Sequence, residues 1–324
     1  MTDTTFPSYT RRSKRMTATD VRLRTLRVKT LRIGFLVGAI AAVLALVGSV
    51  AFQAMQGQAQ LNEAVIQGEK LVIESPRFVG RTKDGGKVIV TARTATRAMN
   101  DQTGKVSLDK PVLETGDGST ATATNGVWTQ SEQSLTLNGD VVLKHFGGDR
   151  ATSTSALWTS VPAALTMNDN VVLSRQAGDK ATANTAIWTS NPAQLTISGN
   201  VNITRPSGAS LVAGVAVWRN DIGALDVQNG VRISLPSGES ATAQTARFSD
   251  RAGDLGLQGQ VVVTFAQGQA SSARADFNGT TGRLTGEGGV EVRSSLGIGT
   301  ASRYAYETRT RRLNLNGDAR VTLR

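Results

Sequence analysis

Catalysis needs side chains that ionise, ligate or attack, and this chain has few at useful spacing. Its 324 residues include one histidine, His145, and no cysteine. That leaves no thiol nucleophile, no thiolate metal site and no disulfide. No Ser/His/Asp set is legible around His145, which sits near a turn. No Gly-Lys-Ser/Thr phosphate cradle occurs, and the Gly-Gly-x-Gly-x-Asp calcium repeat is absent. Carboxylates do not recur at a fixed position. The expectation is a protein that is not an enzyme and holds no metal and no cofactor. What recurs at regular spacing is hydrocarbon, and its chemistry is the removal of apolar surface from water.

The recurrence has a period of thirty residues. Trp128, Trp158, Trp188, Trp218 and Phe248 are spaced by thirty, and Phe277 and Tyr306 continue at twenty-nine. A glycine series runs in step: Gly118, Gly148, Gly178, Gly208, Gly238, Gly268 and Gly297. Two series in phase mark a repeat architecture. Within each unit one segment alternates with period two. Leu135, Leu137, Val141 and Leu143 share a parity, as do Leu165, Met167, Val171 and Leu173, and Leu195, Ile197, Val201 and Ile203. Such a segment is a half-buried strand. A second strand, as in Ala181–Trp188, leads through small residues to the aromatic. Turns are expected at Pro206-Ser-Gly208 and Pro236-Ser-Gly238, with return turns at Val161-Pro162-Ala163 and Asn191-Pro192-Ala193.

One position inside the first strand reads Gly139, Asp169, Gly199, Asn229, Gly259, Gly288 and Gly317 across the units. These residue types tolerate positive φ. Either the strand is kinked there or the chain turns back in an Asn-Gly hairpin. Unbroken parity across Gly139 favours the kink. Stacked kinked hairpins give an all-β, V-shaped stack of antiparallel strands, a β-jelly roll with an apolar inside. About fourteen strands at about 4.8 Å each span roughly 65 Å if every strand crosses both sheets, and about half that if strands alternate.

The net charge is +11, from 36 Lys/Arg against 25 Asp/Glu. Residues 1–32 hold nine of the cations and two of the anions, so the remaining 27 and 23 nearly balance. Aromatics are not interleaved with the cations, so a nucleic-acid surface is not expected. The basic tail instead precedes twenty uncharged residues, Ile33 to Phe52. At about 1.5 Å per residue they span about 30 Å, a bilayer core. A basic flank stays cytoplasmic. The expected organisation is a cytoplasmic tail at 1–32, a transmembrane helix at 33–55 and β-structure from 56 onward, outside the inner membrane. A cleaved signal peptide ending near Ser49-Val50-Ala51 is the rival reading, although the apolar run is long for one. Twin-arginine export from Arg11-Arg12 is discounted. Gly34, Gly38 and Ala42 fall on one helical face, where small residues admit a partner helix.

The order of these parts resembles the LptC family, the membrane-anchored component of lipopolysaccharide export. The resemblance runs from the basic tail and anchor through Pro76-Arg-Phe78-Val-Gly80, Asp84-Gly85-Gly86 and Pro111-Val-Leu113 to the Leu-Thr-Leu-Asn-Gly-Asp-Val-Val-Leu unit. It covers roughly residues 20–145, placing an LptC-like β-domain at 56–145. The later units, 146–324, resemble the repeats of LptA, the soluble bridge protein. The resemblance implies that the chain accepts lipopolysaccharide from the LptB–LptF–LptG transporter and passes it along an apolar trough towards LptA and the outer membrane. The candidate lining is the three one-parity sets above, with Trp128, Trp158, Trp188 and Trp218 as walls. The same residues would equally form a packed core. The final strand, with Leu313, Leu315, Val321 and Leu323, offers an edge on which LptA could dock. Alternatively, Arg309, Arg311, Arg312, Arg320 and Arg324 guard that edge. The rival to transport is a membrane-tethered structural β-repeat, filament or adhesin-like, without lipid cargo.

Overall fold

The computed structural model describes residues 63–81, 87–160, 162–190, 192–219, 221–249 and 253–323. The basic tail, the expected anchor, its Gly34/Gly38/Ala42 face and the Asp84-Gly85-Gly86 motif lie outside the described residues. Among the described residues no helix is long and apolar enough to cross a membrane. Every regular element described is a strand, and every pairing is antiparallel.

The chain advances as a meander. Ser134–Lys144 pairs with Arg150–Ser160, which pairs with Ala163–Ser174, and so on through Lys180–Ser190, Ala193–Thr204 and Ser210–Arg219. Each long strand carries a register shift at its middle. In the first, Asn138 faces Ser155 and Val141 faces Ser153, so Gly139 and Asp140 together oppose Thr154 alone. This is a two-against-one bulge. Both bulged residues have positive φ, 74° at Gly139 and 47° at Asp140. The pair recurs in every unit, as Asp169-Asn170, Gly199-Asn200, Asn229-Gly230, Gly259-Gln260, Gly288-Gly289 and Gly317-Asp318. The strand is therefore kinked and continues; it does not turn back. Nearer the N-terminus the kinks fall at Ser75-Pro76 and Lys110-Pro111, where Ser75 and Lys110 have φ of 47°.

The kinks divide the structure into two arms. The aromatic arm holds the Trp128 series, and the valine arm holds Val141, Val171 and Val201 with the glycine turns. At some kinks the strand splits outright, as in Ala224–Gln228 followed by Val231–Ser234. Even so, the two halves pair with the two arms of the same neighbour, Ser210–Arg219. Counting split strands once, seventeen strands cross both arms, from Lys70–Arg81 to Arg312–Leu323. Sixteen spacings of about 4.8 Å make a stack about 77 Å long.

Side chains cross the strands in rows of alternating bulk. On the aromatic arm Leu135 faces Trp158, which faces Leu165, and the pattern reaches Leu284 opposite Tyr306. In the next row Leu137, Met167, Ile197 and Leu257 face Ala156, Ala186, Ala216 and Ala275. On the valine arm Val171, Val201 and Val231 face Ala183, Ala213 and Ala243. Small residues on alternate strands keep the summed volume constant, so both arms close on one continuous apolar cluster. The last unit inverts one pair: Gly286 lies under the ring of Tyr304.

The tips of the valine arm repeat one turn. His145, Arg175, Arg205 and Leu235 each accept from the N–H of the glycine three residues on and donate their own N–H to the carbonyl four residues on. The glycines take φ near 87°, which is why the series is glycine.

Candidate functional site: an apolar chamber between the arms

All sixteen candidate lining residues lie on the inward face, but they do not share one environment. Leu137, Val141, Leu143 and Trp128 are 1% exposed or less. Trp128 and Trp158 stack at 6.4 Å between ring centroids. Leu165, Met167 and Val171 extend the same close-packed block. From Leu173 onward the arms part. A cavity of about 510 Å³ opens there, lined by both arms. Of the expected residues, Leu173, Leu195, Ile197, Ile203 and Trp218 line it. The remaining eleven, including the half-buried Trp188, do not.

Much of the lining lies beyond the residues singled out in sequence. Leu225, Ile233, Leu257, Val263 and Leu284 contribute to it, alongside Phe248 and Phe277 of the aromatic series already read in the sequence. The signal that would have found them is the same period of about thirty residues, carried up to three units further. Phe265 was outside both series. It replaces a turn residue at the tip of the valine arm and stacks on Tyr306 of the aromatic arm, 4.7 Å between centroids and 20° from parallel. Both rings line the chamber and both are buried. Beyond them Tyr304, Val290 and Val292 are packed again. The space between the arms is thus a bounded chamber set between two packed sections.

Burial pushes the Tyr304 hydroxyl up to about 12, so it stays protonated and uncharged through neutral pH. Tyr306 moves in the same direction for the same reason. The buried indole N–H groups of Trp128, Trp158 and Trp218 find no acceptor among the described residues. These rings are there for area, not for hydrogen bonding.

Charge enters the chamber wall only from the tips of the valine arm. Arg175 Nη1 donates to Asp179 Oδ2 at 2.9 Å, with side chains only 7% and 19% exposed. Lys180, Arg205 and Glu239 complete the charged lip. Among the described residues no His/Cys/Asp/Glu cluster could hold a metal.

The two halves of the C-terminal strand differ in exposure. Leu313 and Leu315 are partly buried against the core, while Val321 and Leu323 are 62% and 74% exposed. Val321 faces Gly299 and Leu323 faces Gly297, and the strand has no second neighbour among the described residues.

No family model matches the chain, and no curated protein matches it. Solved structures do match. One is LptH, the LptA-homologous periplasmic component of the lipopolysaccharide transport device of Pseudomonas aeruginosa. It is 10% identical over 46% of this chain and 97% of its own, with a TM-score of 0.24. Another is the TCP10 domain of Danio rerio CPAP, bound to a peptide of Danio rerio STIL. It is 10% identical over 59% of this chain and 94% of its own, with a TM-score of 0.15. The two neighbours differ in what they do, and at these scores neither assigns a function here. The fold and the site define an elongated antiparallel β-stack with a half-open apolar chamber between its arms.

Proposed function

We propose that this chain carries lipopolysaccharide between membranes by shielding its acyl chains from water. The observation that carries the reading is the chamber of about 510 Å³ between the arms, apolar except at its lip. Each CH₂ kept from water is worth about 0.8 kcal/mol, so such a wall lowers the cost of moving a lipid. The basic tail and apolar segment support tethering at the inner membrane with the β-stack in the periplasm. The resemblance to the LptC family supports LptB–LptF–LptG as donor and LptA as acceptor. Nothing in this role requires a catalytic step.

The packed section from Trp128 to Val171 supports the rival, a structural β-repeat without cargo. The two readings part at the chamber. A photocrosslinker at Ile203 or Leu257 in living cells should yield lipopolysaccharide adducts, and one at Leu137 or Val171 should yield far fewer. A folded protein that gives no adduct from either chamber position is a structural protein, not a carrier.

A further inference from the structure

The lip of the chamber is built from the same turn used three times, and its charges differ from turn to turn. In the first, Arg175 is paired with Asp179. In the second, Arg205 stands in the place of Arg175, but Ala209 replaces the acid. In the third, Leu235 replaces the cation, and Glu239 is held by the Ser237 hydroxyl at 2.7 Å. Arg205 is therefore an exposed lining cation whose own turn has lost the partner acid. Lys180 stands on the neighbouring strand, in register with Thr204, and is the other unpaired cation of the lining. Among the described residues no ion pair involves Lys180 or Arg205, and Glu239 is not within ion-pair distance of either. Both cations are exposed and belong to the lip where the apolar wall meets solvent.

The chamber is also finite. The packed Leu137–Val171 block lies to one side of it, and the stacked Phe265 and Tyr306 rings lie in its wall towards the other. Its volume of about 510 Å³ falls within the range of a site for a single small ligand.

We propose that the chamber holds one anionic amphiphile at a time, its hydrocarbon among Leu195, Ile197 and Leu257 and its acidic group on Lys180 and Arg205. The assignment deepens the lipid reading above and rests on it. A guanidinium offers a carboxylate or a phosphate two parallel N–H donors, and a lysine adds a point charge. The acid supplies the partner that Ala209 does not. A carboxylate would come from a free fatty acid and a phosphate from a glycolipid headgroup.

The test uses the full-length protein and displacement of the neutral dye N-phenyl-1-naphthylamine. Dodecanoate should displace the dye roughly tenfold or more better than dodecanol. A Lys180→Ala/Arg205→Ala variant should erase that preference while leaving dodecanol unchanged. Leu257→Trp, with its fold checked by thermal melting, should weaken both. Equal displacement by acid and alcohol, or a preference that survives the double variant, overturns the charge assignment while the lipid reading stands. No binding of dye, acid or alcohol overturns both. Purified lipid A serves as the third competitor. Competition that weakens in the double variant identifies the glycolipid phosphate as the source. Competition by dodecanoate alone keeps the anionic site and removes lipopolysaccharide as its cargo.

Discussion

Gly214 and Asn229 show how the kink distributes its Cβ atoms. At each kink the first bulged residue lies against the middle of the preceding strand. Gly139 lies on Thr124, Gly199 on Asn184, Gly288 on Ala273 and Gly317 on Ser302, and a Cβ on any of these glycines would come within 2.9 Å of its neighbour. In one unit the bulge carries Asn229 instead, and there the neighbour is Gly214, where an added Cβ would meet the Asn229 Cβ at 2.6 Å. One member of the contact is glycine in each of these units. Asp169 beside Thr154 is the exception, and there Asn170 Nδ2 donates to Thr154 Oγ1 at 3.2 Å. Gly214 has no positive φ, so alanine there is limited by space alone. Gly214→Ala should cost about 1–3 kcal/mol, the usual penalty of overpacking. Adding Asn229→Gly should restore most of it. Urea denaturation of the two single variants and the double variant measures the coupling; simple additivity would mean that the contact does not limit the kink.

Among elements, the strands of the packed block and those of the chamber share a pattern but not a density. Leu137 and Ile203 occupy inward positions of the same parity. Leu137 is fully enclosed, whereas Ile203 already borders empty space. Leu137→Ala should therefore cost about 2–5 kcal/mol by opening a new cavity. Ile203→Ala should cost much less, because it enlarges a space already present. Equal losses in denaturant midpoint would mean that the chamber is filled. The inward parity, the kink and the turn glycines were legible in the sequence because each depends on one residue and its immediate backbone. The second bulged residue was not, because Asp140, Asn200 and Gln260 are also ordinary strand-surface residues. The kinks at Ser75-Pro76 and Lys110-Pro111 were hidden in the same way, since serine and lysine do not announce positive φ. The limits of the chamber were illegible because they depend on how far apart two arms stand. Parity reports which side faces inward and says nothing of that distance. The Phe265–Tyr306 stack joins residues 41 positions apart on different arms and follows from neither repeat series.

For the whole molecule, the seventeen strands from Lys70–Arg81 to Arg312–Leu323 each cross both arms, so the stack has the longer of the two spans foreseen and slightly exceeds it, at about 77 Å. Its C-terminal edge exposes Val321 and Leu323, inward-facing residues of a row that no further strand covers among those described. If LptA docks there by strand addition, Val321→Lys with Leu323→Lys should abolish its capture by the purified protein and leave the melting temperature nearly unchanged. Full capture by this variant would place the contact elsewhere. The kink built into every crossing strand has one more effect. Because each strand bends for itself, the cross-section does not depend on how many strands there are. Duplicating or deleting a thirty-residue unit would change the reach by two strand spacings, about 9.6 Å, and leave the profile alone. Gene duplication can therefore set the length of such a stack in steps fixed by backbone hydrogen bonding.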